Sequence, residues 1–225
     1  MIIRKKFKFE GAHIVRNCST KRCKTSIHGH SYKVEVFFTS NKLDNGYMIL
    51  DFGLTKKHIR NIIDSFDHAY SLWEQESDEF RNFFKTNSQR WIEMPVSPSA
   101  EAYSLMFLKF IDHILKNTIF SNGEGNIQVT SVRVHETKTG YAEAFREDMD
   151  LIELDIRKVV FSDEVINEWK NKDELLKILS IEIKLLFKII KEKTMIKNPK
   201  DILEQWMQAV NEGDVEKLLS LYDNQ

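Results

Sequence analysis

The sequence predicts an α+β fold, because strand-like and helix-like hydrophobic patterns occur in separate blocks along the chain. Over residues 2–13, alternate residues ending at His13 form one face, while charged residues take the other. The same two-residue period runs from His30 to about residue 40. Two helical patterns follow, and two further strands come after them. We therefore expect a sheet with helices packed against it.

The elements after the second strand are predicted from local signals. Asp44-Asn45-Gly46 is a turn signal, and residues 47–52 after it are predicted to form a short strand. Apolar residues at helical spacing indicate a helix over about 54–65. The charged segment 74–90 is predicted to be a helix or an excursion between elements, and 90–94 a short strand.

A second long helix is predicted over 97–116. Ser97 suits its N-cap and Pro98 its first helical position, where the missing N–H costs nothing. Two strands follow, at about 127–137 and 141–147.

Residues 148–225 are predicted to form an extension of one strand and then helices. The strand pattern covers 151–161, and a long amphipathic helix covers 175–190. A last helical pattern runs over 201–222. We interpret the extension as an appendage that covers the core domain; the alternative is the beginning of a further domain.

Composition excludes some classes of function. The chain has 225 residues with 42% hydrophobic content, enough to bury a core. Its 33 basic and 34 acidic residues give no overall field that would gather nucleic acid. The sequence has no long apolar run without charges, so it predicts neither a membrane span nor a signal peptide. We therefore expect a cytoplasmic protein without nucleic-acid or membrane partners, with two free thiols.

Three histidines are the strongest candidates for chemistry. His13 ends the inner face of the first strand, and His28 and His30 begin the second. If the strands are neighbours, three imidazoles converge on one face, and three neutral imidazoles without a fourth ligand are a common catalytic zinc set. Because Cys18 and Cys23 lie between them, a structural Cys-His zinc site stays open, as does an unrelated polar loop.

The order of these motifs resembles the 6-pyruvoyltetrahydropterin synthase and 6-carboxytetrahydropterin synthase family. The resemblance covers about residues 1–147, and each short motif is weak alone. The matching residues are Phe9-Glu10-Gly11-Ala12-His13, Cys23, His28-Gly29-His30-Ser31-Tyr32, Asn45-Gly46, Leu50-Asp51-Phe52, Asp67-His68, Pro98-Ser99-Ala100-Glu101 and Val134-His135-Glu136-Thr137.

This resemblance implies a tunnelling fold, with an antiparallel sheet and two helices on one face. It also implies a homohexamer built as a dimer of trimers, with active sites between subunits. Zn²⁺ would be held by His13, His28 and His30, and would grip the hydroxyls of a pterin side chain.

The resemblance also implies roles for the other motif residues. Cys23 would be the general base, and Asp67 with His68 a second proton-transfer pair. Glu136 would anchor the pterin, since a carboxylate accepts from two adjacent N–H groups. Glu101 and Ser99 match a second pterin contact, although helix capping explains them equally well.

The implied reaction converts 7,8-dihydroneopterin triphosphate to 6-carboxy-5,6,7,8-tetrahydropterin, with release of acetaldehyde and triphosphate, in queuosine biosynthesis. The alternative enzyme is 6-pyruvoyltetrahydropterin synthase. Four residues separate Cys23 from His28, whereas three are typical of the bacterial 6-carboxy enzymes and five of the animal pyruvoyl enzymes. The spacing therefore does not choose the product. A metal-stabilised oligomeric scaffold or a non-catalytic pterin-binding protein is the alternative of another class.

Overall fold

A seven-stranded mixed sheet is the centre of the structure, a computed structural model that describes residues 1–179. The strands lie in the order β6-β5-β2-β1-β3-β4-β7. In chain order the elements are β1 Ile3–His13, α1 Lys21–Thr25, β2 His28–Thr39, α2 Phe52–Thr55, α3 His58–Asp64, β3 Ala69–Trp73, α4 Asp78–Asn87, β4 Trp91–Met94, α5 Ala100–Lys116, β5 Gln128–His135, β6 Tyr141–Phe145, β7 Val160–Phe161, α6 Asp163–Asn167 and α7 Lys172–Leu179.

The predicted α+β class and the antiparallel pairing hold for the four strands β6, β5, β2 and β1. The prediction of an antiparallel sheet is incomplete, because β3 joins β1 in parallel and β4 joins β3 in parallel. Helix α4 makes the crossover that a parallel pair requires. The strands added in this way extend the sheet sideways from the end of β1 that carries His13.

Helices α3 and α5 pack on one face of the sheet, as predicted. Their buried residues share one apolar core with the inner faces of β1, β2 and β5, including Phe9, Val34, Ile62, Phe107 and Val132. Helix α4 packs around Tyr70, whose ring stacks on Phe84 at 3.9 Å between centroids.

Two predictions near these helices are wrong, one of a strand and one of the residue at which a helix begins. Residues 47–51 form bends and Phe52 begins α2, so no strand forms there; the Asp44 carboxylate accepts from the N–H groups of Gly46 and Met48. Helix α5 begins at Ala100, and its N-cap is Ser99 rather than Ser97. The Ser97 hydroxyl donates to the Arg16 carbonyl instead. Pro98 therefore lies before the helix.

The first part of the extension continues the sheet and the core. The predicted strand over 151–161 is wrong except at β7, because a 3₁₀ turn at Ile156–Lys158, capped by Asp155, interrupts the extended chain. Trp169 and Leu175 are buried in the main apolar core. The predicted helix over 175–190 begins at Lys172; its part beyond 179, and the predicted helix over 201–222, lie outside the described residues.

None of the helices within residues 1–179 is long and apolar enough to cross a membrane.

Candidate metal centre and active site

The register of β1 and β2 brings the three histidines together. His13 lies directly opposite His28, and His30 lies opposite Gly11. The ring centroids are 4.5 Å apart for His13 and His28, 5.3 Å for His13 and His30, and 5.1 Å for His28 and His30. One ligand nitrogen from each ring lies within 4.8 Å of the others. This spacing can hold one metal ion, and in the described residues neither cysteine belongs to the cluster.

Hydrogen bonds at the far nitrogens orient two of the rings. His13 Nδ1–H donates to the Pro98 carbonyl at 2.6 Å, and His28 Nδ1–H donates to the Ser26 carbonyl at 2.9 Å. Because a carbonyl only accepts, both rings keep a lone pair on Nε2. His30 Nε2 is buried and has no hydrogen-bond partner among the described residues. A zinc site requires one ring-nitrogen lone pair from each histidine, and this arrangement can supply the three.

Aromatic side chains enclose the cluster on the core side. Tyr103 lies nearly parallel to the His13 ring, with 6.3 Å between centroids, and the Tyr32 hydroxyl lies 3.3 Å from both His13 ring nitrogens. Burial lowers the pKa of His13 to about 4 and raises the pKa of Tyr32 well above its usual value. His13 is therefore a neutral imidazole at neutral pH, the form that binds metal.

Glu136 faces the same cluster from the end of β5. Its Oε1 lies 3.6 Å from His13 Nε2 and 3.8 Å from His30 Nε2. The side chain is 31% exposed, so the carboxylate borders both the histidines and solvent. The structure thus places this predicted substrate-binding residue beside the candidate metal centre, in a position to accept from a ligand's N–H groups.

Cys23 lies in the short helix α1, on the loop that joins the two histidine-bearing strands. Its carbonyl accepts from the Val15 N–H at 3.0 Å, and its side chain is partly exposed. Cys18, the other thiol of this loop, donates to the Thr20 carbonyl at 3.3 Å. Arg22 and Lys24 flank Cys23 on the helix. Both cysteines lie outside the histidine cluster in this arrangement of the loop.

Asp67 and His68 form a hydrogen-bonded pair just before β3. His68 Nδ1 lies 2.9 Å from Asp67 Oδ2, and Asp67 Oδ1 accepts from the Glu10 N–H at 2.8 Å. The His68 side chain is 75% exposed. Over the described residues, no hydrogen bond or ion pair joins either side chain to His13, His28 or His30. One protomer therefore presents the pair to its surroundings.

Ser99 and Glu101 lie at the start of α5. The Ser99 hydroxyl accepts from the Ala102 N–H at 3.2 Å, as the capping interpretation predicts. Glu101 is exposed in the first turn. The Pro98 carbonyl that orients His13 is a contribution of this segment that the sequence did not predict. The position of Tyr103 beside His13 was not predicted either. Tyr32, in contrast, shares the strand parity of His28 and His30, so its position beside them follows from the sequence pattern.

Comparison with known proteins gives similarities in sequence and in fold. The sequence model of a family described as 6-pyruvoyl tetrahydropterin synthase matches residues 2–147. A Helicobacter pylori protein named 6-carboxy-5,6,7,8-tetrahydropterin synthase is 45% identical over 191 residues, covering 83% of this chain and 96% of that protein. An Aquifex aeolicus protein with the same name is 27% identical, covering 59% of this chain and 82% of that protein.

Among solved structures, an uncharacterized protein from Wolinella succinogenes is similar with a TM-score of 0.51 and 18% sequence identity. The match covers 65% of this chain and 98% of that one. At this identity the similarity concerns the fold alone.

Proposed function

Because the chain belongs to the 6-pyruvoyl tetrahydropterin synthase family, we propose that it is a zinc-dependent lyase that converts 7,8-dihydroneopterin triphosphate to 6-carboxy-5,6,7,8-tetrahydropterin. Acetaldehyde and triphosphate are the other products. The observation that carries this choice of product is the 45% identity to the Helicobacter protein of that name, across 96% of its length. The proposed place of the enzyme is cytoplasmic queuosine biosynthesis.

The histidine cluster supports the metal requirement. His13, His28 and His30 would hold Zn²⁺ through ring nitrogens, and their spacing and the orphaned Nε2 of His30 fit that ion. When bound, zinc supplies a Lewis acid that stabilises negative charge developing on the side-chain oxygens of the substrate. The Pro98 and Ser26 carbonyls keep two of the ligands in the required tautomer.

The remaining residues would bind the pterin and move protons. Glu136 accepts from adjacent N–H donors of the pterin ring, and Ser99 and Glu101 give a second contact at the start of α5. Cys23 takes a proton from the substrate side chain as thiolate. His68, oriented by the Asp67 carboxylate, gives or takes the second proton.

The exposed position of His68 supports an active site shared between subunits. A proton-transfer group must reach within hydrogen-bond distance of the reacting atoms. In one protomer, no hydrogen bond or ion pair among the described residues joins the Asp67–His68 pair to the histidine cluster, so in the proposed site a second copy would supply the pair. We propose the homohexamer, built as a dimer of trimers, as the active form.

Product analysis tests this function. The full-length protein, loaded with zinc, is incubated with 7,8-dihydroneopterin triphosphate, and products are identified by chromatography with mass detection. A pterin that keeps one side-chain carbon, together with acetaldehyde and triphosphate, is expected. A product that keeps all three side-chain carbons as a diketone identifies the pyruvoyl enzyme. The family whose sequence model matches residues 2–147 takes its description from that enzyme. Binding without turnover identifies the non-catalytic alternative and contradicts the proposal.

A further inference from the structure

The peptide bond between Asp67 and His68 is held from both sides. Its N–H, which belongs to His68, donates to the Glu10 carbonyl at 2.7 Å. Its carbonyl, which belongs to Asp67, accepts from Arg90 Nε at 2.8 Å. A peptide plane fixed in this way sets the backbone of His68, whose φ of 53° lies in the left-handed region. The direction of the imidazole therefore depends on groups outside its own loop.

Arg90 also binds the end of α3, the helix that leads into this pair. Its Nη2 donates to the Asp64 carbonyl at 3.0 Å, and its Nη1 pairs with the Glu168 carboxylate. A cation is favourable at a helix C-terminus, where backbone carbonyls lack partners. The planar guanidinium binds three groups in fixed directions at once, which a lysine ammonium does not reproduce.

Glu168 begins a run of three extension residues, of which Glu168 pairs with Arg90 and the next two bind the last turns of α3. Trp169 is buried, and its Nε1–H donates to the Ser65 hydroxyl at 2.9 Å. The Lys170 N–H donates to Asn61 Oδ1 at 3.2 Å, and Asn61 Nδ2 donates to the Lys170 carbonyl at 2.7 Å. The extension thus fixes the helix end and one side of Arg90 together.

We propose that Arg90, secured by residues 168–170, is a positioning residue for the Asp67–His68 pair. The inference rests on the proposed function, in which His68 exchanges a proton with the substrate. Arg90 acts through the Asp67 carbonyl and the end of α3 rather than on the substrate. The extension thereby contributes to turnover, although it lies outside the residues that match the family model.

Kinetics of full-length, zinc-loaded variants test this role. Arg90→Gln should lower kcat by about 10- to 100-fold, the cost of a misplaced catalytic group, while KM and zinc content stay near wild type. Arg90→Lys should recover little of the lost kcat, because a lysine ammonium lacks the planar fork of N–H donors of a guanidinium. In a His68→Gln background, Arg90→Gln should cause no further loss, since a positioning residue has no effect without the group it positions.

Arg60→Gln is the matched control. Arg60 is an exposed arginine of α3 that pairs with the Asp64 side chain at 2.9 Å, so its loss removes the same charge beside the helix end that Arg90 binds. We expect its kcat to equal that of wild type. Glu168→Gln is a milder variant that keeps Arg90, and it should lower kcat by a smaller factor than Arg90→Gln does.

An NMR readout separates failure of this proposal from failure of the proposed function. The Cε1–H resonance of His68 is assigned by its absence in His68→Gln. It should shift in Arg90→Gln and stay in place in Arg60→Gln, whether or not the protein turns over the pterin. An unchanged resonance and an unchanged kcat in Arg90→Gln overturn the proposal. A kcat loss of equal size in the His68→Gln background also overturns it, because the damage is then general.

Discussion

In the candidate metal centre, hydrogen bonds orient two of the three histidines. His13 and His28 donate Nδ1–H to backbone carbonyls, and the buried Nε2 of His30 has no hydrogen-bond partner within residues 1–179. The strand alternation predicted that these rings converge, because period and pairing follow from local sequence. The Pro98 carbonyl was beyond prediction, since it lies 85 residues from His13 in the chain.

Removing one ring should release the metal. His28→Ala leaves two nitrogens, too few to hold a catalytic zinc tightly, so metal analysis after dialysis should find little zinc. Cys23→Ala serves as the control and should retain about one zinc per chain. Full zinc occupancy in His28→Ala would show that the metal binds elsewhere.

Cys23, not Cys18, should be the catalytic base. Both cysteines are five positions from a histidine ligand, but Cys23 lies between Arg22 and Lys24, which favour thiolate. Cys23→Ala should lower turnover by roughly two to four orders of magnitude with zinc still bound, as for loss of a general base. Cys18→Ala should remain active, and the opposite result would require a different alignment of this loop with the family.

At the level of elements, the alternating strands were predictable and the fully buried one was not. β1 and β2 show one apolar and one polar face, whereas the first four residues of β3 are all buried and give no two-residue period. The predicted strand at 47–52 is wrong for a different reason. Its apolar residues follow a turn in which the backbone N–H groups of Gly46 and Met48 donate to the Asp44 carboxylate.

The packing of α7 on α3 predicts a pH dependence of stability. His58 is buried beneath Glu174, whose Oε1 lies 3.4 Å from its Nε2. Burial lowers the pKa of His58 below 6.5, with Lys57 also lowering it and Glu174 raising it. Below pH 6.5 the unfolded chain binds a proton that the folded chain does not, so stability falls as the pH falls.

A variant isolates this contribution. His58→Gln cannot titrate, so its free energy of unfolding should fall less between about pH 7 and about pH 5 than that of wild type. Urea unfolding of the full-length proteins at several pH values measures the two slopes. Equal slopes in both proteins would show that His58 contributes nothing to the pH dependence.

At the level of the whole molecule, no hydrogen bond or ion pair within residues 1–179 joins the Asp67–His68 pair to the histidine cluster. The sequence predicted both groups, yet the side on which each lies depends on how α3 ends and on contacts from the extension. Such contacts join residues far apart in the chain, and local patterns do not encode them. The proposed active site therefore combines groups from two copies of the chain.

Complementation between two inactive variants tests that claim most directly. Cys23→Ala and His68→Ala chains are co-expressed, and mixed assembly is verified by native mass spectrometry. If the cluster of one copy works with His68 of another, random mixing should restore roughly one quarter of wild-type turnover of 7,8-dihydroneopterin triphosphate. Mixed assemblies that stay as inactive as the separate variants would contradict a shared site.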